Sequence, residues 1–237
     1  NSFDLATLSI IEAIEENDIV KSLHEALAEG LIVPAGKMYR FTHDRIQQAV
    51  YSLIADKDRN HAHLTIGRLL LANIPEDKRE AHLFDIANQW NWGKDIITDA
   101  GEKELLAGLN LEAGRKAKQS SAFKAALEYF ETGIALLKDD PWNVQYELCR
   151  NLHTEATEAA YLNGDFATMD KYYPIVLKNT RNLLEKVKPY EIRILAYKAE
   201  NKLLDAIKTG LELLKQLGED FPSKPTMVHV MADLIKT

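Results

Sequence analysis

An imidazole, a carboxylate and a guanidinium stand side by side at His43, Asp44 and Arg45, where an extended run gives way to a helical one. Histidine changes charge near neutral pH, which makes this triplet the sharpest functional hint in the chain. In purely structural terms, Asp44 caps the helix that follows and His43 packs against the preceding hairpin. The other chemistry-bearing groups are scattered. His61 and His63 suggest a metal pair only superficially, because residues i and i+2 of a helix point about 200° apart and cannot share one ion. No H-E-x-x-H run occurs, and His82, His153 and His229 lie far apart in sequence, so no metal site is expected. Glu155 with Glu158, and Glu15 with Glu16, have no neighbouring nucleophile and read as solvated helix faces rather than acid–base pairs. Cys149 has no histidine partner fixed by sequence and reads as a small buried hydrophobe. Trp90 and Trp92 read as core residues rather than the paving of a ligand site. With no G-x-x-x-x-G-K-[ST] phosphate loop either, the expectation is a chain with no catalytic residues and no cofactor of its own.

The elements that position the triplet follow from periodicity. Residues 31–42 alternate around a Pro34-Ala35-Gly36 turn and predict a short hairpin, with Tyr39 and Phe41 on its second strand. Ile46, Ala49, Val50, Leu53 and Ile54 then recur at helical spacing and predict a helix from Asp44 to about Ile54. Upstream, Leu5, Leu8 and Ile11, with Ala13 and Ile14, predict a first helix. Asn17-Asp18 is placed to cap a second, closed by Gly30. Helix, helix, two-stranded wing, helix is the order of a winged-helix-like unit, assigned to residues 1–60. Such units often bind DNA, but the second helix carries Asp18, Glu25 and Glu29 against Lys21 alone, the wrong balance for facing phosphates.

The remainder, residues 61–237, is expected to be helical. Two helices flank a charged PEDKRE linker after Pro75. Asp99 with Glu102 opens the next helix as a capping pair. Asp140-Pro141 marks another start, and Asn163-Gly164 the end of that helix. Phe123, Phe166 and Leu203 each open the second helix of a pair, at a loose period of about forty residues. Ala126, Met169 and Ala206 follow three positions on, then Phe130, Tyr173 and Gly210. Pro174 is expected to interrupt its helix. Helix pairs of this length stack because no single pair covers its own apolar face. The fold class is therefore mainly α: a winged-helix-like unit with a small β-hairpin, followed by an α-helical solenoid.

Composition sets the outer limits. The chain has 237 residues, 46% hydrophobic and 27% charged, in the ordinary globular range. A net charge of −7 offers no footprint for nucleic acid or an anionic bilayer. A single cysteine excludes an intrachain disulfide and suits a reducing compartment. No signal peptide or membrane-length apolar run is evident, so a cytoplasmic location without membrane insertion is expected. The start at Asn1, and an amphipathic run of Val228, Met231, Leu234 and Ile235 that stops at Thr237, lead us to expect a piece of a longer protein.

The repeats resemble tetratricopeptide repeats, with Gly114, Phe123, Ala126 and Phe130 at consensus small and aromatic positions, and Gly164, Phe166 and Tyr173 in the second copy. The match is degenerate, hence TPR-like. The resemblance implies that the first helix of each pair lines an inner groove, which places Arg115, Lys118, Glu158, Tyr161 and Lys198 there. Mixed charge with one tyrosine suits a protein segment as partner. Two longer blocks, LHEALAEGLIVPAGKMYRFTHDRIQQAVYSLI and GLNLEAGRKAKQSSAFKAALEYFETGIALL, resemble the winged-helix end and following helical arm of STAND-class signal-transduction ATPases. In particular they are similar to bacterial multidomain proteins that join a serine/threonine kinase, such an ATPase module, a sensor and a histidine kinase. The resemblance implies ATP or ADP bound by the parent. It also implies that His43 is a nucleotide sensor touching the β-phosphate of ADP in the closed state, with Asp44 and Arg45 as neighbouring contacts or caps. The chain itself would be a non-catalytic regulatory segment that couples nucleotide state to protein partners, including the parent's own kinase or sensor domains. Alternative readings are a free-standing TPR-like adaptor and, with less behind them, a winged-helix DNA-binding regulator or a small all-α enzyme.

Overall fold

The structure is a computed structural model that describes residues 2–221. Its contacts divide the chain into two compact units, Asn1–Leu109 and Asn110–Thr237.

In the first unit, β1 (Ser2–Phe3), β2 (Ile32–Ala35) and β3 (Met38–Phe41) form an antiparallel sheet in the order β1-β3-β2. Ser2 pairs with Arg40 and Phe3 with Tyr39, while Ile32 pairs with Phe41 and Ala35 with Met38. The expected hairpin is thus present but gains a third strand from the start of the chain. The Phe3 ring stacks on Tyr39 and tilts against Phe41, both at 5.9 Å. The turn is also shifted. Pro34 and Ala35 belong to β2, and Gly36, at φ +69°, makes the bend with Lys37. β2 is an edge strand, where a proline without an N–H is tolerated.

Helix α1 (Leu5–Glu12) is capped by Asp4, which accepts from the Thr7 amide at 2.7 Å and the Thr7 hydroxyl at 2.8 Å. It stops at Ala13, which takes a left-handed conformation, so Ala13 and Ile14 do not extend it. The second expected helix is two short ones, α2 (Glu16–Ser22) and α3 (His24–Ala28). Glu15, not Asn17 or Asp18, precedes α2. Glu16 and Asp18 instead sit in its first turn, where they complement the helix dipole. Helix α4 (Asp44–Ser52) follows the sheet, and the apolar stripe that marks it is not covered. No α4 residue is buried, and Leu53 at its end is 84% exposed.

Helices α5 (Asp56–Asn73) and α7 (Leu83–Trp92) pack closely, joined through the one-turn α6 (Glu76–Arg79) where the sequence predicts a linker. Leu64, Leu70, Leu83, Ile86 and Trp90 form the core between them. Gly67 is required there, because a Cβ at this position would lie 2.0 Å from Trp90 Cδ1. A 3-10 turn (Lys94–Ile96) leads to α8 (Ala100–Gln119), inside which the division between the units falls. Asp99 caps α8 as expected, accepting from the Glu102 amide at 2.8 Å. The Glu102 carboxylate does not close the box but takes a two-pronged bond from Arg68 on α5.

The second unit continues with α9 (Phe123–Ala135), α10 (Pro141–Val144), α11 (Tyr146–Leu162), α12 (Phe166–Asn179), α13 (Leu184–Ala199) and α14 (Leu203–Gln216). Phe123, Phe166 and Leu203 open α9, α12 and α14, as the periodicity predicts. Successive helices pack on one another: α9 on α11, α11 on α12 and α13, α12 on α13, and α13 on α14. Small residues at the crossings, Ala126, Ala156, Ala160, Ala196 and Ala206, let the backbones approach around Phe130, Leu152, Met169 and Ile192. Two expectations are corrected. Asp140-Pro141 opens only the four-residue α10, and the long helix starts at Tyr146 after Gln145. Pro174 does not interrupt α12. It forfeits one amide donor, while Met169, Tyr172 and Val176 hold the helix in the core on both sides of it. Val228, Met231, Leu234 and Ile235 lie outside the described residues. Among the described residues no helix is long and apolar enough to cross a membrane.

Candidate functional site

His43, Asp44 and Arg45 are all exposed at the end of β3. The strand is tied down immediately before them. The Thr42 amide bonds Leu31 O at 3.0 Å, and its hydroxyl bonds Gly30 O at 2.9 Å. His43 then has extended backbone angles and serves as the N-cap of α4, its carbonyl accepting from Ile46 N at 3.0 Å. The expected roles are therefore exchanged. Asp44 is the first helical residue rather than the cap, because the extended conformation required of a cap falls on His43. The His43 imidazole makes no capping bond and is not packed into the sheet. The His43 imidazole, the Asp44 carboxylate and the Arg45 guanidinium are thus displayed together at a helix N-terminus on one short, anchored segment.

The second region is the face of the second unit formed by α8, α11 and α13. Arg115 Nε and Lys118 Nζ on α8 donate to the two carboxylate oxygens of Glu155 on α11, at 2.8 and 2.5 Å. Lys118 also bonds Glu158 at 2.5 Å, and Glu158 takes a further 2.5 Å bond from Lys188 on α13. Glu158 on α11 thereby bridges α8 and α13. Burial alone would push the Glu158 carboxyl up, but its bonds from Lys118 and Lys188 outweigh that and hold it below the usual glutamate value. Burial would likewise depress Lys118, yet Glu155 and Glu158 raise it above the ordinary lysine value. Beside this ladder a cavity of about 210 Å³ opens between α11 and α13. Arg150, Thr154, Glu155 and Lys188 line it, with Leu184, 76% exposed, at its edge. Of the residues placed in the groove from sequence, Arg115, Lys118 and Glu158 come together. Half-buried Tyr161 and exposed Lys198 stand outside the ladder. Glu155, read from sequence as a solvated carboxylate, is only 16% exposed and engages two cations. Lys188 carries no sequence signal beyond its i+30 distance from Glu158, which only the stacking of α13 on α11 turns into contact.

The remaining groups are accounted for structurally. Cys149 does have a histidine partner, His153 one turn on, with Sγ 3.5 Å from Nδ1. Burial pushes the Cys149 thiol up to about 12, so it is not a nucleophile at neutral pH. Burial lowers the His153 pKa, and its Nδ1 sits 2.8 Å from Cys149 O. His63 bonds Tyr51 Oη at 2.9 Å and Gln89 Oε1 at 2.7 Å, and its ring lies 4.6 Å from Trp92. Trp90 is in the core, but Trp92 is 55% exposed, contrary to its expected burial. Among the described residues no group of three or more His, Cys, Asp or Glu is arranged to hold a metal ion.

The chain is similar to the Hybrid signal transduction histidine kinase G of Dictyostelium discoideum, with 30% identity over 204 residues. The match covers 76% of this chain, but the chain spans only 6% of that protein's length. No family model matches the chain, and no solved structure gives a significant match.

Proposed function

We propose that the chain is a non-catalytic regulatory segment of a multidomain signalling protein, the winged-helix end of a STAND-class ATPase module with the TPR-like arm behind it. The observation that carries this reading is the display of His43 on a tied strand, its ring uncommitted to a cap and its helix N-terminus beside it. That is the placement a nucleotide-sensing histidine needs if it is to reach a phosphate held by another part of the parent. The similarity to a hybrid signal transduction histidine kinase supports a signalling setting. The stacked helices of the second unit support an arm that presents the α8–α11–α13 face to a protein partner. ATP or ADP would be bound by the parent upstream of this chain, and the segment would transmit that state to kinase or sensor domains.

The test is protection of His43. In the parent, diethyl pyrocarbonate should modify His43 readily with no nucleotide and slowly with ADP bound. Equal modification in both states would remove the sensor role. A parent without a G-x-x-x-x-G-K-[ST] run upstream of Asn1 would favour the free-standing adaptor.

A further inference from the structure

The cavity between α11 and α13 has a definite hydrogen-bonding bias. Both of its carboxylates are engaged at each oxygen. Glu155 takes bonds from Arg115 and Lys118, and Glu185 from the Tyr146 hydroxyl, Arg150 and the Arg181 amide. The groups with capacity to spare are donors or uncharged. Lys188 spends one N–H of its ammonium on Glu158, and its side chain is 49% exposed. Asn151 is engaged only through Oδ1, at a long 3.5 Å from Arg150. The Thr154 hydroxyl, also on the cavity wall, has no partner among the described residues.

The charge of the lining is already balanced, Arg150 and Lys188 against Glu155 and Glu185. A further carboxylate would lie beside two carboxylates, and a further cation beside two cations, each partly desolvated against like charge. A carboxamide adds no charge. It offers an acceptor oxygen to Lys188 or Thr154, and two N–H donors to Asn151 Oδ1 or the remaining lone pairs of the carboxylates. The volume of about 210 Å³ lies below the roughly 300–1,000 Å³ of small-molecule sites, and is that of a notch for one side chain. Leu184, 76% exposed at the edge, supplies an apolar lip. We propose that this notch receives the side chain of a glutamine or asparagine from a protein partner, with an adjacent apolar residue resting on Leu184. The proposal rests on the reading of the arm as a protein-binding face and gives that face its recognition chemistry.

The test titrates the isotope-labelled 237-residue chain with three blocked dipeptides, the acetylated amides of glutaminyl-leucine, glutamyl-leucine and lysyl-leucine, followed by amide NMR shifts. The glutaminyl peptide should bind most tightly and move the amides around Thr154, Leu184 and Lys188. Thr154→Val deletes an unpartnered hydroxyl and leaves every ion pair of the ladder in place. It should weaken the glutaminyl peptide roughly 2- to 12-fold, the worth of one neutral hydrogen bond, with an unaltered melting temperature. Equal or tighter binding of either charged peptide, or no loss in Thr154→Val, would overturn the proposal. Shifts confined to α8 around Arg115 and Lys118 would overturn this site while leaving the arm as a protein-binding face. No shift with any peptide would also overturn it, and the His43 protection test would then decide the wider reading by itself.

Discussion

Gly114 offers a direct probe of how α8 meets α9. A Cβ built there lies 2.3 Å from Phe130 Cε1, 2.6 Å from Cδ1 and 2.7 Å from Cζ, far inside the contact distance of about 3.5–4.0 Å between carbons. Phe130 is fully buried, so its ring cannot swing into solvent to make room. Gly114→Ala gains about 1 kcal/mol of helix propensity and loses up to about 3 kcal/mol to overpacking, a net destabilisation of roughly 2 kcal/mol. Gly108, in the same helix, has nothing within 4 Å of its Cβ direction. Gly108→Ala should therefore show the propensity gain alone and stabilise by up to about 1 kcal/mol. Urea denaturation of both variants measures the contrast. Adding Phe130→Leu removes the ring atoms nearest the new methyl and should shrink the Gly114→Ala penalty, a coupling within the usual range of about 0.5–3 kcal/mol for residues in contact. If Gly114→Ala stabilises as much as Gly108→Ala, or shows no coupling to Phe130→Leu, the close approach is absent and the pairing of α8 with α9 is wrong.

Ala126 is also fully buried, and Ala126→Arg should lower stability by about 3 kcal/mol or more through overpacking and desolvation of the new charge, measured by chemical denaturation. Glu158→Gln removes the carboxylate that joins Lys118 to Lys188 and should reduce stability by about 1–3 kcal/mol. Because the folded Glu158 pKa is depressed, its contribution is present above the usual glutamate value and disappears as pH falls through the lower folded value; the acid limb of wild type should be steeper than that of Glu158→Gln. His153 is also depressed in the fold, so the unfolded chain binds more protons below about pH 6.5 and stability should drop as pH falls through that range. Urea midpoints of wild type and His153→Phe between pH 5 and 7.5 check this, the variant being expected to show the shallower slope.

Features set by local chemistry were legible in the sequence. The Asp99 cap, the closure at Gly164 and the helix starts at Phe123, Phe166 and Leu203 each rest on residues a few positions apart, and the structure has all of them. Features decided by distant partners were not. Strand β1 has two residues, too few for any periodicity, and exists because β3 offers an open edge. The break between α2 and α3 falls in a run with unbroken helical composition. Pro174 signals a helix end locally, but burial of Met169 and Val176 overrides it. At the candidate sites, the exposure of His43 and the pairing of Glu155 and Lys188 depend on where strands and helices are brought together in space. Side-chain type alone marks Arg115, Lys118 and Glu158, though not that carboxylates and cations there satisfy one another.

The central claim is that His43 reads a phosphate held by the rest of the parent. His43 is exposed and makes no capping bond, so His43→Ala should leave the melting temperature of this chain nearly unchanged. In the parent, the same change should remove one hydrogen bond to ADP, worth about 1–3 kcal/mol, and speed ADP release roughly 5- to 150-fold. The decisive measurement is the ADP dissociation rate of the wild-type and His43→Ala parents, read beside the melting of the two isolated chains. Faster release with an unaltered melt is the predicted result; unchanged release, with the isolated variant markedly destabilised, would contradict the claim and make His43 a structural residue.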